Sequence, residues 1–527
     1  MTMDFLLPSR SRGTVSATTT DPQIEIVNPA DGRAVGTVPN VGRAEVERIV
    51  GDVRAAQPAW EALGAKGRST WLAKFRDWLL DHADEIADVL QSETGKPRAE
   101  ARIEAPMMAD LINYYNSNGA KFLADEPVGA HGLMTIQKKM LKVFRPYPVV
   151  GIITPWNFPL VMPLIDGIPA LMAGAAVLIK PSEVTPLTAQ LIERGWTDIG
   201  APPILRIVTG LGATGEAVVD AVDYVQFTGS TPTGRKIAQA CAGQLKPYSL
   251  ELGGKDPAIV LADADVDRAV NGVTWGGLMN SGQVCISVER VYVEAPIYDE
   301  FVAKLARKVG SLRQGADDRS FAHDVGALAT TDQQTIVDGQ VTSAIAAGAR
   351  AVTGGKQGVT GTFYEPTVLV NVDHSMACMR EETFGPTIPV MKVADEAEAI
   401  RLANDSPFGL SATVWTSDIK RGMAVARQIE AGAVNINDAF INLFEFGLPH
   451  GGWKDSGVGA RLGGAQGVRK YCRVQSITAP RIPTLHAEPL WYPYSPTKMK
   501  AVGGLLRMLV ARDLGRILGR TNDKDNA

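Results

Sequence analysis

Short apolar runs that alternate with helix-length stretches constrain the fold of this chain more than any other feature of its sequence. Four β-rich runs follow one another with gaps long enough for a helix: "VVGIITPWNFP", "AAVLIKPSE", "ILRIVTGLG" and "YVQFTGS". A second series runs through "DPAIVLADAD", "ERVYVE", residues 362–372, "TIPVMKV" and "GAVNIN". This alternation is typical of repeated βαβ units and of mostly parallel sheets. The sequence therefore predicts an α/β fold with two α/β domains.

Length and composition agree with a globular protein of this class. The chain has 527 residues, of which 45% are hydrophobic and 21% charged, enough for two or three domains with proper cores. Ahead of the first series, "RAEVERIVGDVRAAQPAWEAL" and "RSTWLAKFRDWLLDHADEIADVLQSETGKP" each have the apolar spacing of an amphipathic helix. A formal net charge of -4 does not favour binding to nucleic acid.

Cysteine usage and the absence of long apolar runs indicate a cytoplasmic protein. The four cysteines lie 44 or more residues apart, which predicts neither disulfides nor a zinc site. No run of about 18 apolar residues is present, so no membrane span is predicted. Residues 1–22 lack the long apolar core of a signal peptide and are predicted to be a disordered tail.

Three segments are candidates for holding a dinucleotide. "GLGATG", which begins at Gly210, fits GxGxxG after a predicted strand, but this pattern alone leaves phosphate contact and a purely steric turn equally open. Gly229 and Ser230 of "FTGSTPTG" precede a helix whose free N–H groups can hold a pyrophosphate. Lys180 and Glu183 of "VLIKPSE" follow a strand, where a carboxylate can accept hydrogen bonds from ribose hydroxyls. Such a carboxylate repels a 2'-phosphate, which favours NAD over NADP.

Three further residues suit covalent catalysis, although each also has a structural interpretation. Cys285 of "NSGQVCIS" lies in a turn before a β-like run, either as a nucleophile or as a small core residue. Glu251 of "SLELGGKDP" is flanked by leucines, and burial would raise its pKa toward that of a general base. Asn157 of "TPWNFP" lies on a rigid loop and suits an oxyanion site or a helix cap.

Six motifs together resemble the NAD(P)-dependent aldehyde dehydrogenase superfamily. "TPWNFP", "KPSEVTP", "FTGSTPTG", "LELGGKDP", "GQVC" and "EETFGP" occur in this order over roughly residues 25–480. The resemblance implies an aldehyde dehydrogenase fold, with a Rossmann-like cofactor-binding domain, an α/β catalytic domain and a small β oligomerisation arm. The implied boundaries are residues 23–130 and 149–252 for the cofactor domain, 253–467 for the catalytic domain and 131–148 and 468–480 for the arm. A basic extension covers residues 481–527.

The resemblance also assigns roles to individual residues. Cys285 matches the nucleophile that forms a thiohemiacetal and then a thioester, Glu251 the base that activates water, and Asn157 an oxyanion donor with the Cys285 N–H. No metal is implied. The residues implied in binding NAD, or NADP as an alternative, are Thr154, Pro155, Trp156, Lys180, Glu183, Gly210, Gly229, Ser230, Leu252, Glu382 and Phe384. The other cysteines, Cys241 in a helix, Cys378 in a polar loop and Cys472 in a strand, are predicted to be structural.

The sequence defines the substrate less closely than it defines the reaction. "CISVERVYVE" resembles bacterial succinate-semialdehyde dehydrogenases, in which arginines six residues before the nucleophile and eight after the asparagine bind the carboxylate. Met279 and Ile165 occupy these positions here and cannot pair with a carboxylate. A medium-chain aliphatic or aromatic aldehyde is therefore favoured, with succinate semialdehyde as the alternative. A CoA-acylating enzyme, a cysteine hydrolase and a catalytically silent protein are less favoured, since Cys285 and Glu251 are both retained and no histidine lies in a motif near Cys285.

Two segments predict contacts beyond the active site. The arm resembles the hairpin through which such enzymes form a homodimer or homotetramer, and an exposed hairpin edge favours a partner strand. In the extension, Leu506, Val510, Leu514 and Ile517 are predicted to share one helical face, among eight Lys or Arg and four Asp or Glu over residues 481–527. This helix is expected to dock on its own or a neighbouring subunit. Weak contact with a membrane surface is the alternative.

Overall fold

Two mostly parallel sheets carry the fold, as the alternation of apolar runs predicts. The structure is a computed structural model and describes residues 22–132, 135–316, 319–482, 486, 488, 490–511 and 514–517. The predicted N-terminal tail lies outside the described residues except for Pro22. The chain divides into a first unit, Met1–Leu123 with Pro146–Cys472, and a second unit, Ala124–Arg145 with Arg473–Ala527.

The first unit begins with a two-stranded antiparallel sheet and four helices. The second predicted helix is wrong in one respect, because it is broken at His82, whose backbone (φ -105°, ψ 14°) is not helical. The next helix then ends at Gly95, whose φ of 71° lies in the left-handed region that glycine adopts without steric cost. The elements are β1 (Gln23–Val27), β2 (Ala34–Pro39), α1 (Arg43–Ala62), α2 (Gly64–Asp81), α3 (Ala83–Thr94) and α4 (Arg98–Phe122). The strands β3 (Glu126–Val128) and β4 (Lys138–Pro146) follow in the chain and, except for Pro146, belong to the second unit.

A parallel sheet of five strands, extended by one short antiparallel strand, comes next. Its strands are buried along nearly their whole length, which explains why they appear in the sequence as continuous apolar runs. Its elements are β5 (Val149–Ile153), α5 (Val161–Ala173), β6 (Ala176–Lys180), α6 (Leu187–Asp198), β7 (Leu205–Ile207), α7 (Gly212–Ala221), β8 (Tyr224–Thr228), α8 (Thr231–Gly243) and β9 (Tyr248–Glu251). The parallel strands lie in the order β9-β8-β5-β6-β7, so five carboxyl ends meet at one edge.

The second sheet has seven strands, all parallel except its first edge strand. Alternate residues of its central strands contribute to two separate core clusters, for example Ile259 to one and Ala258 to the other, so both faces are covered. Its strand order is β12-β13-β14-β11-β10-β16-β17. The elements of this region are β10 (Asp256–Val260), α9 (Val266–Leu278), β11 (Val288–Glu294), α10 (Tyr298–Gly310), α11 (Thr331–Ala346), β12 (Arg350–Thr353), β13 (Thr367–Val370), α12 (Ala377–Arg380), β14 (Thr387–Val393), α13 (Glu396–Asn404), β15 (Phe408–Gly409), β16 (Ser411–Trp415), α14 (Ile419–Ala426) and β17 (Ala433–Ile436).

A glycine-rich segment after the second sheet returns to the first. Its short strands pair β18 with β21, with His450 opposite Arg461, and β20 with β9, with Gly457 opposite Glu251. Its elements are α15 (Ile441–Phe444), β18 (Pro449–His450), β19 (Trp453–Lys454), β20 (Gly457–Val458), β21 (Arg461–Leu462) and α16 (Ala465–Arg469). The pairing therefore brings residues from near position 450 to the carboxyl end of β9.

The second unit contains a three-stranded sheet and two helices. The sheet has the order β22-β4-β3, where β22 is Cys472–Pro480, and the helices are α17 (Pro496–Val510) and α18 (Leu514–Ile517). The prediction of one helical face from Leu506 to Ile517 is wrong, because Ala511 is extended (φ -73°, ψ 135°) and separates the two helices. Within the described part of the chain, no helix is long and apolar enough to cross a membrane. That the sheet joins subunits stays a prediction.

Candidate active site

The carboxyl edge of the first sheet gathers most of the predicted site residues. Thr154, Pro155, Trp156 and Asn157 follow β5, Lys180 ends β6, Gly210 follows β7, Gly229 and Ser230 follow β8, and Glu251 and Leu252 end and follow β9. The register aligns Ile153 with both Lys180 and Phe227, and Thr228 with Glu251, so these ends lie level. The edge at which parallel strands end is the usual ligand position in open α/β sheets.

Cys285 follows a short turn with unusual backbone geometry and lines a cavity. The turn is a 3-10 segment, Met279–Gly282, in which Asn280 (φ 51°), Ser281 (φ 57°) and Gly282 (φ 74°) all have left-handed backbone conformations. For residues other than glycine this conformation costs free energy and has to be held by surrounding contacts. Burial is the main cause that raises the pKa of the Cys285 thiol, to about 12. The thiol in this arrangement is therefore protonated at neutral pH and needs a base before it can attack.

Hydrogen bonds from two other elements hold the turn. Both carboxylate oxygens of Glu100, on α4, accept from the Asn280 N–H at 3.0 Å, and burial raises the pKa of Glu100 to about 7. The Asn280 side-chain amide donates to the Asn157 carbonyl at 3.0 Å, and the Ser281 hydroxyl donates to the Gly326 carbonyl at 3.0 Å. These contacts compensate for the backbone conformation and fix the position of Cys285.

Asn157 is buried next to the same turn. Its side-chain Nδ2 donates to the Gln283 carbonyl at 2.9 Å, and since an amide nitrogen carries two hydrogens, one remains for another acceptor. Its own carbonyl accepts from Lys96 Nζ at 2.9 Å, and Lys96 forms a buried ion pair with Glu104 at 2.7 Å. The amide is thus held rigidly against Gln283, which precedes Cys285 by two positions in the sequence. Asn157 itself is not among the described residues that line the cavity.

Glu251 is fully buried, and the described protein groups leave both its carboxylate oxygens without a hydrogen bond. Burial is the largest cause that raises its pKa to about 8, while Arg461 and Lys470 oppose the shift. The Nε2 atom of His450 lies 4.0 Å from the Glu251 carboxylate. Burial, followed by the charge of Arg461, lowers the pKa of His450 to about 3, so its imidazole is neutral.

Two adjacent glycines bring the nucleophile, the base and the "EETFGP" loop together. A Cβ on Gly254 would lie 2.6 Å from the Cys285 carbonyl oxygen, and a Cβ on Gly253 would lie 2.6 Å from Glu382 Oε2. The contact with backbone leaves no room for a side chain at position 254, whereas a side chain at position 253 would displace the Glu382 carboxylate. The Gly254 N–H also donates to Glu382 Oε1 at 3.0 Å.

Glu382 and Phe384 lie on the opposite side of this crossing. Burial and the neighbouring Glu289 raise the pKa of Glu382. Phe384 has a left-handed backbone (φ 52°), and its ring meets that of Trp156 edge to face at 5.4 Å between centroids. An aromatic wall therefore joins a residue after β5 to the loop that carries Glu382.

The remaining predicted cofactor residues lie in a row along the carboxyl edge of the first sheet. Lys180 Nζ lies 3.3 Å from Glu183 Oε2, and Ser230 is the N-cap of α8, where the first backbone N–H groups of the helix lack intrahelical partners. Leu252 packs against Gly234 on the first turns of α8. Thr154 Oγ1 is buried without a hydrogen-bond partner among the described groups. The Glu183 carboxylate can accept hydrogen bonds from ribose hydroxyls, the N-terminus of α8 can hold a pyrophosphate, and the Thr154 hydroxyl is free of protein partners among the described groups. Together these groups along one sheet edge fit a dinucleotide.

The cavity beside Cys285 is lined chiefly by apolar side chains. Met279, which occupies the expected position of a carboxylate-binding arginine, lines it, whereas Ile165 is fully buried in α5 and does not. The lining residues are Glu100, Ile103, Glu104, Met107, Phe158, Val161, Met162, Met279, Val284, Cys285, Ile286, Phe440, Leu443, Phe444, His450 and Arg461.

Sequence patterns did not identify His450, Arg461 or Asp166 as site residues. Arg461 lines the cavity and is buried, with its guanidinium 2.9 Å from Asp166 Oδ2 on α5 and in contact with Thr228 Oγ1. No histidine lies in a motif near Cys285, as stated from the sequence, but His450, 165 positions away, lines the same cavity. The one local signal was the unusual glycine density around residues 451–464, which marks close backbone packing.

The other three cysteines are buried, and burial raises the pKa of each thiol. Cys241 lies in α8 and Cys472 begins β22, as predicted, but Cys378 lies in the short helix α12 rather than in a polar loop. Its side chain packs into one core of the second sheet, which stabilises the helical turn. Among the described residues no group of three or more His, Cys, Asp or Glu could hold a metal ion.

Comparison with known proteins gives one consistent result over most of the chain. The model of the Aldehyde dehydrogenase family matches residues 15–477. A protein of Mycolicibacterium smegmatis, provisionally named succinate-semialdehyde dehydrogenase (NADP(+)), is 40% identical over 457 residues, which are 86% of this chain and 87% of that protein. The 4,4'-diapolycopene aldehyde oxidase of Methylomonas sp is 38% identical over 504 residues, 95% of this chain and 94% of that protein.

A solved structure agrees in fold as well as in sequence. The succinate-semialdehyde dehydrogenase of Burkholderia pseudomallei superposes with a TM-score of 0.83 at 36% identity, and covers 87% of this chain and 94% of its own. The predicted fold class, with its Rossmann-like sheet, is confirmed.

Proposed function

The chain belongs to the aldehyde dehydrogenase family, whose members oxidise aldehydes with NAD(P), and from this premise we propose that it converts an apolar aldehyde to the carboxylic acid through a thioester at Cys285. Medium-chain aliphatic and aromatic aldehydes are the proposed substrates. The observation that carries the proposal is the apolar lining of the cavity into which Cys285 faces.

The charges around this cavity oppose a substrate with a carboxylate. Arg461 and His450 are the only lining residues of the described chain with a cationic form, and Arg461 already pairs with Asp166 at 2.9 Å. His450 is neutral because its pKa is lowered to about 3. Two acidic residues, Glu100 and Glu104, also line the cavity. A substrate carboxylate would lose its hydration here without gaining a free cation, whereas an apolar chain would lose nothing.

Cys285 is the proposed nucleophile, and Glu251 the proposed base. Since the thiol is protonated at neutral pH, its proton passes to solvent as sulfur bonds to the aldehyde carbon and the π electrons of the carbonyl move to its oxygen. Asn157 Nδ2 and the Cys285 N–H would stabilise the oxyanion that forms at this carbon. NAD(P)+, when bound, accepts the hydride that leaves this carbon. The ionised form of Glu251, which a pKa of about 8 keeps accessible near neutral pH, then takes a proton from the water that attacks the thioester, the Cys285 thiolate leaves, and the acid is released.

The row of groups along the first sheet supports the proposed cofactor site. Lys180 and Glu183 would bind the adenosine ribose, Gly229 and Ser230 the pyrophosphate, and Glu382 the nicotinamide ribose. The ring would lie against Phe384, while Thr154, Pro155, Trp156, Gly210 and Leu252 complete the walls. The Glu183 carboxylate favours NAD, because it would repel the 2'-phosphate of NADP.

Oxidation of succinate semialdehyde is the second candidate. The names of the Mycolicibacterium and Burkholderia proteins favour it, while the name of the Methylomonas protein, whose match extends over 95% of this chain, favours an aldehyde of a hydrocarbon. The lining of the cavity supports the first candidate over the second. Under either candidate we propose a homodimer or homotetramer, because β22 is exposed along most of its length in a sheet of only three strands.

Steady-state kinetics with purified protein test the proposal. Octanal, benzaldehyde and succinic semialdehyde are compared with NAD and NADP, with and without CoA, and reduced cofactor is followed by absorbance. We expect kcat/KM for octanal to exceed that for succinic semialdehyde roughly tenfold or more. If no aldehyde reduces either cofactor, the proposed function is wrong. Faster turnover of succinic semialdehyde would establish the second candidate instead.

A matched pair of variants sharpens the choice between the candidates. Met279→Arg adds a cation to the cavity wall and is expected to lower kcat/KM for octanal and raise it for succinic semialdehyde. Met279→Leu keeps the wall apolar at similar volume, so the order of the two substrates should not change. If Met279→Arg leaves both values unchanged, the substrate chain does not lie along this wall.

A further inference from the structure

The exposed C-terminal segment, residues 490–510, combines three features that neither catalysis nor cofactor binding uses. It consists of an aromatic stretch followed by the helix α17. No residue of α17 is buried. These features involve surface residues of the second unit alone and are therefore independent of the proposed substrate.

The first feature is an apolar face on α17. Met499, Val502, Leu506 and Leu509 recur at the three- and four-residue spacing that places side chains on one side of a helix. Met499, Leu506 and Leu509 are each about two-fifths exposed, at 40%, 40% and 41%. An exposed face of this kind indicates a surface with which the helix associates.

The second feature is basic charge without acidic charge. The stretch 489–512 contains four basic residues, Lys498, Lys500, Arg507 and Arg512, and no Asp or Glu, in a chain whose net charge is -4. Lys500 and Arg507 lie seven positions apart, on the side of α17 opposite the apolar face. This excess of basic over acidic residues is complementary to an anionic surface.

The third feature is a cluster of exposed aromatic side chains directly before the helix. Trp491, Tyr492 and Tyr494 are exposed, and the rings of Tyr492 and Tyr494 lie 4.6 Å apart. Tryptophan and tyrosine have an apolar ring and a polar tip, and they are enriched where lipid meets water. Basic residues opposite an apolar face, next to such aromatic residues, are the features of a helix that lies in the plane of a membrane surface.

We propose that residues 490–510 bind the surface of an anionic lipid bilayer. The apolar face of α17 would enter the boundary between headgroups and acyl chains, with Trp491, Tyr492 and Tyr494 at the headgroup level. Lys500 and Arg507 would face the anionic headgroups. Gly503 and Gly504 disfavour an isolated helix in water, so contact with lipid would also stabilise the helical conformation.

Vesicle sedimentation with the full chain tests this proposal. The protein is mixed with vesicles of phosphatidylcholine alone or with phosphatidylglycerol added, and the bound fraction is measured at low and high salt. We expect binding that requires phosphatidylglycerol and weakens with salt. Absence of binding to the anionic vesicles, or equal binding to both compositions, would overturn the proposal.

Three variants locate the contact. The double variant Leu506→Gln with Leu509→Gln is expected to reduce vesicle affinity roughly tenfold or more, because it removes apolar area from the contact face. Lys500→Gln with Arg507→Gln should reduce it by a similar factor and flatten the salt dependence. Val359→Gln, which changes a fully exposed apolar residue of the first unit, is the matched control and should bind as the unchanged chain does.

Light scattering and enzyme assays separate the other outcomes. If the Leu506→Gln and Leu509→Gln double variant has a lower molar mass and the unchanged chain does not bind vesicles, α17 covers a second copy and the proposal is wrong. Oxidation of a water-soluble aldehyde should be unchanged in all three variants. Vesicle binding does not require turnover, so failure of the proposed oxidation would leave this measurement unaffected.

Discussion

Two clusters of buried charged groups in the first unit differ in how completely their polar atoms are hydrogen-bonded. In the paired cluster, Lys255 Nζ contacts Glu289 Oε2 at 2.7 Å and Thr383 Oγ1 at 2.9 Å. The Glu289 oxygens also accept from the N–H groups of Thr383 and Phe384, and Gln340 accepts from the Thr383 hydroxyl at 2.7 Å. Every charge is thus compensated, and the cluster fixes the loop that carries Phe384.

The open cluster consists of Glu251, His450, Arg461 and Asp166. Among the described groups, neither oxygen of Glu251, nor His450 Nδ1, nor Arg461 Nε has a hydrogen-bond partner. Asp166 is the paired member of this cluster: its Oδ2 lies 2.9 Å from the Arg461 guanidinium, and its Oδ1 accepts from Lys470 Nζ at 3.3 Å and from the Tyr471 hydroxyl at 3.0 Å. Two of the four residues line the cavity beside Cys285.

The difference separates charges that stabilise the fold from charges that are held for chemistry. A compensated buried ion pair fixes geometry, and its rupture leaves an unpaired charge in the core. A buried carboxylate without donors favours its protonated form, so its pKa rises into the range in which it can exchange protons near neutral pH.

The largest expected effect is that of Cys285→Ala, because the thiol is the reacting group and no other cysteine lines the cavity. We expect kcat to fall by roughly 10⁴-fold or more. Binding of NAD, measured by calorimetry, and the unfolding midpoint should change little. The partly buried Cys285 contributes only a small side chain to packing, so unfolding of the variant would point to a structural role instead.

Loss of the Glu251 carboxylate is expected to have the next largest effect. Glu251→Gln is expected to lower kcat by about 10²–10⁴-fold, since water then attacks the thioester without a base. A burst of reduced cofactor, measured by stopped flow, should remain, because acyl formation precedes hydrolysis. If burst and steady-state rates fall equally, Glu251 acts before hydrolysis, as the base for the Cys285 thiol.

A break in the paired cluster should affect stability before chemistry. Lys255→Met leaves the Glu289 carboxylate buried without its cation, and we expect the free energy of unfolding in urea to fall by about 3 kcal/mol or more. The control is Lys454→Met, at a partly exposed lysine that pairs with Glu430 at 2.6 Å. Its expected cost is about 1 kcal/mol or less. Equal losses in the two variants would contradict the distinction between the clusters.

The sequence predicts some parts of this structure and not others, and the open cluster belongs to the second group. The sheets were predictable because buried parallel strands are continuous apolar runs, and Cys285, Glu251 and Asn157 each lie in a distinctive local motif. The roles of these residues stay a proposal. The open cluster was not predictable from local pattern, because Asp166, on α5, and Arg461, on β21, meet only through tertiary pairing, nearly 300 positions apart.

Periodicity did not predict two helix boundaries, at His82 and Ala511, for a different reason. The breaks at His82 and Ala511 interrupt stretches whose apolar spacing continues on either side, so periodicity alone predicts one helix in each case. Neither position carries a glycine or proline that would mark the end of a helix. A single sequence contains no direct signal for such boundaries.

The smallest expected effect is a pH-dependent change in the free energy of unfolding. Replacement of a glutamate by glutamine should raise this free energy in the open cluster and lower it in the paired cluster. The pKa of Glu251 is raised from 4.5 to about 8 on folding, so this carboxyl costs no stability below pH 4.5. Between pH 4.5 and 8 the unfolded chain releases the proton while the folded chain keeps it, and the cost grows until it is complete above pH 8. Glu251→Gln should therefore stabilise the protein increasingly with pH. We expect a gain of about 1–2 kcal/mol at pH 9, since the buried amide that replaces the carboxyl also lacks partners.

Urea unfolding at pH 6 and pH 9 measures this gain. Glu289→Gln, the matched change in the paired cluster, should lower stability at both values, because it leaves Lys255 without its partner charge. A loss of stability in Glu251→Gln at pH 9 would mean that the folded protein compensates the Glu251 charge as fully as that of Glu289. In that case burial alone could not account for a base with a pKa near 8. The proton transfer assigned to Glu251 would then have to be assigned to a group that lines the cavity, such as His450, whose Nε2 lies 4.0 Å from the Glu251 carboxylate.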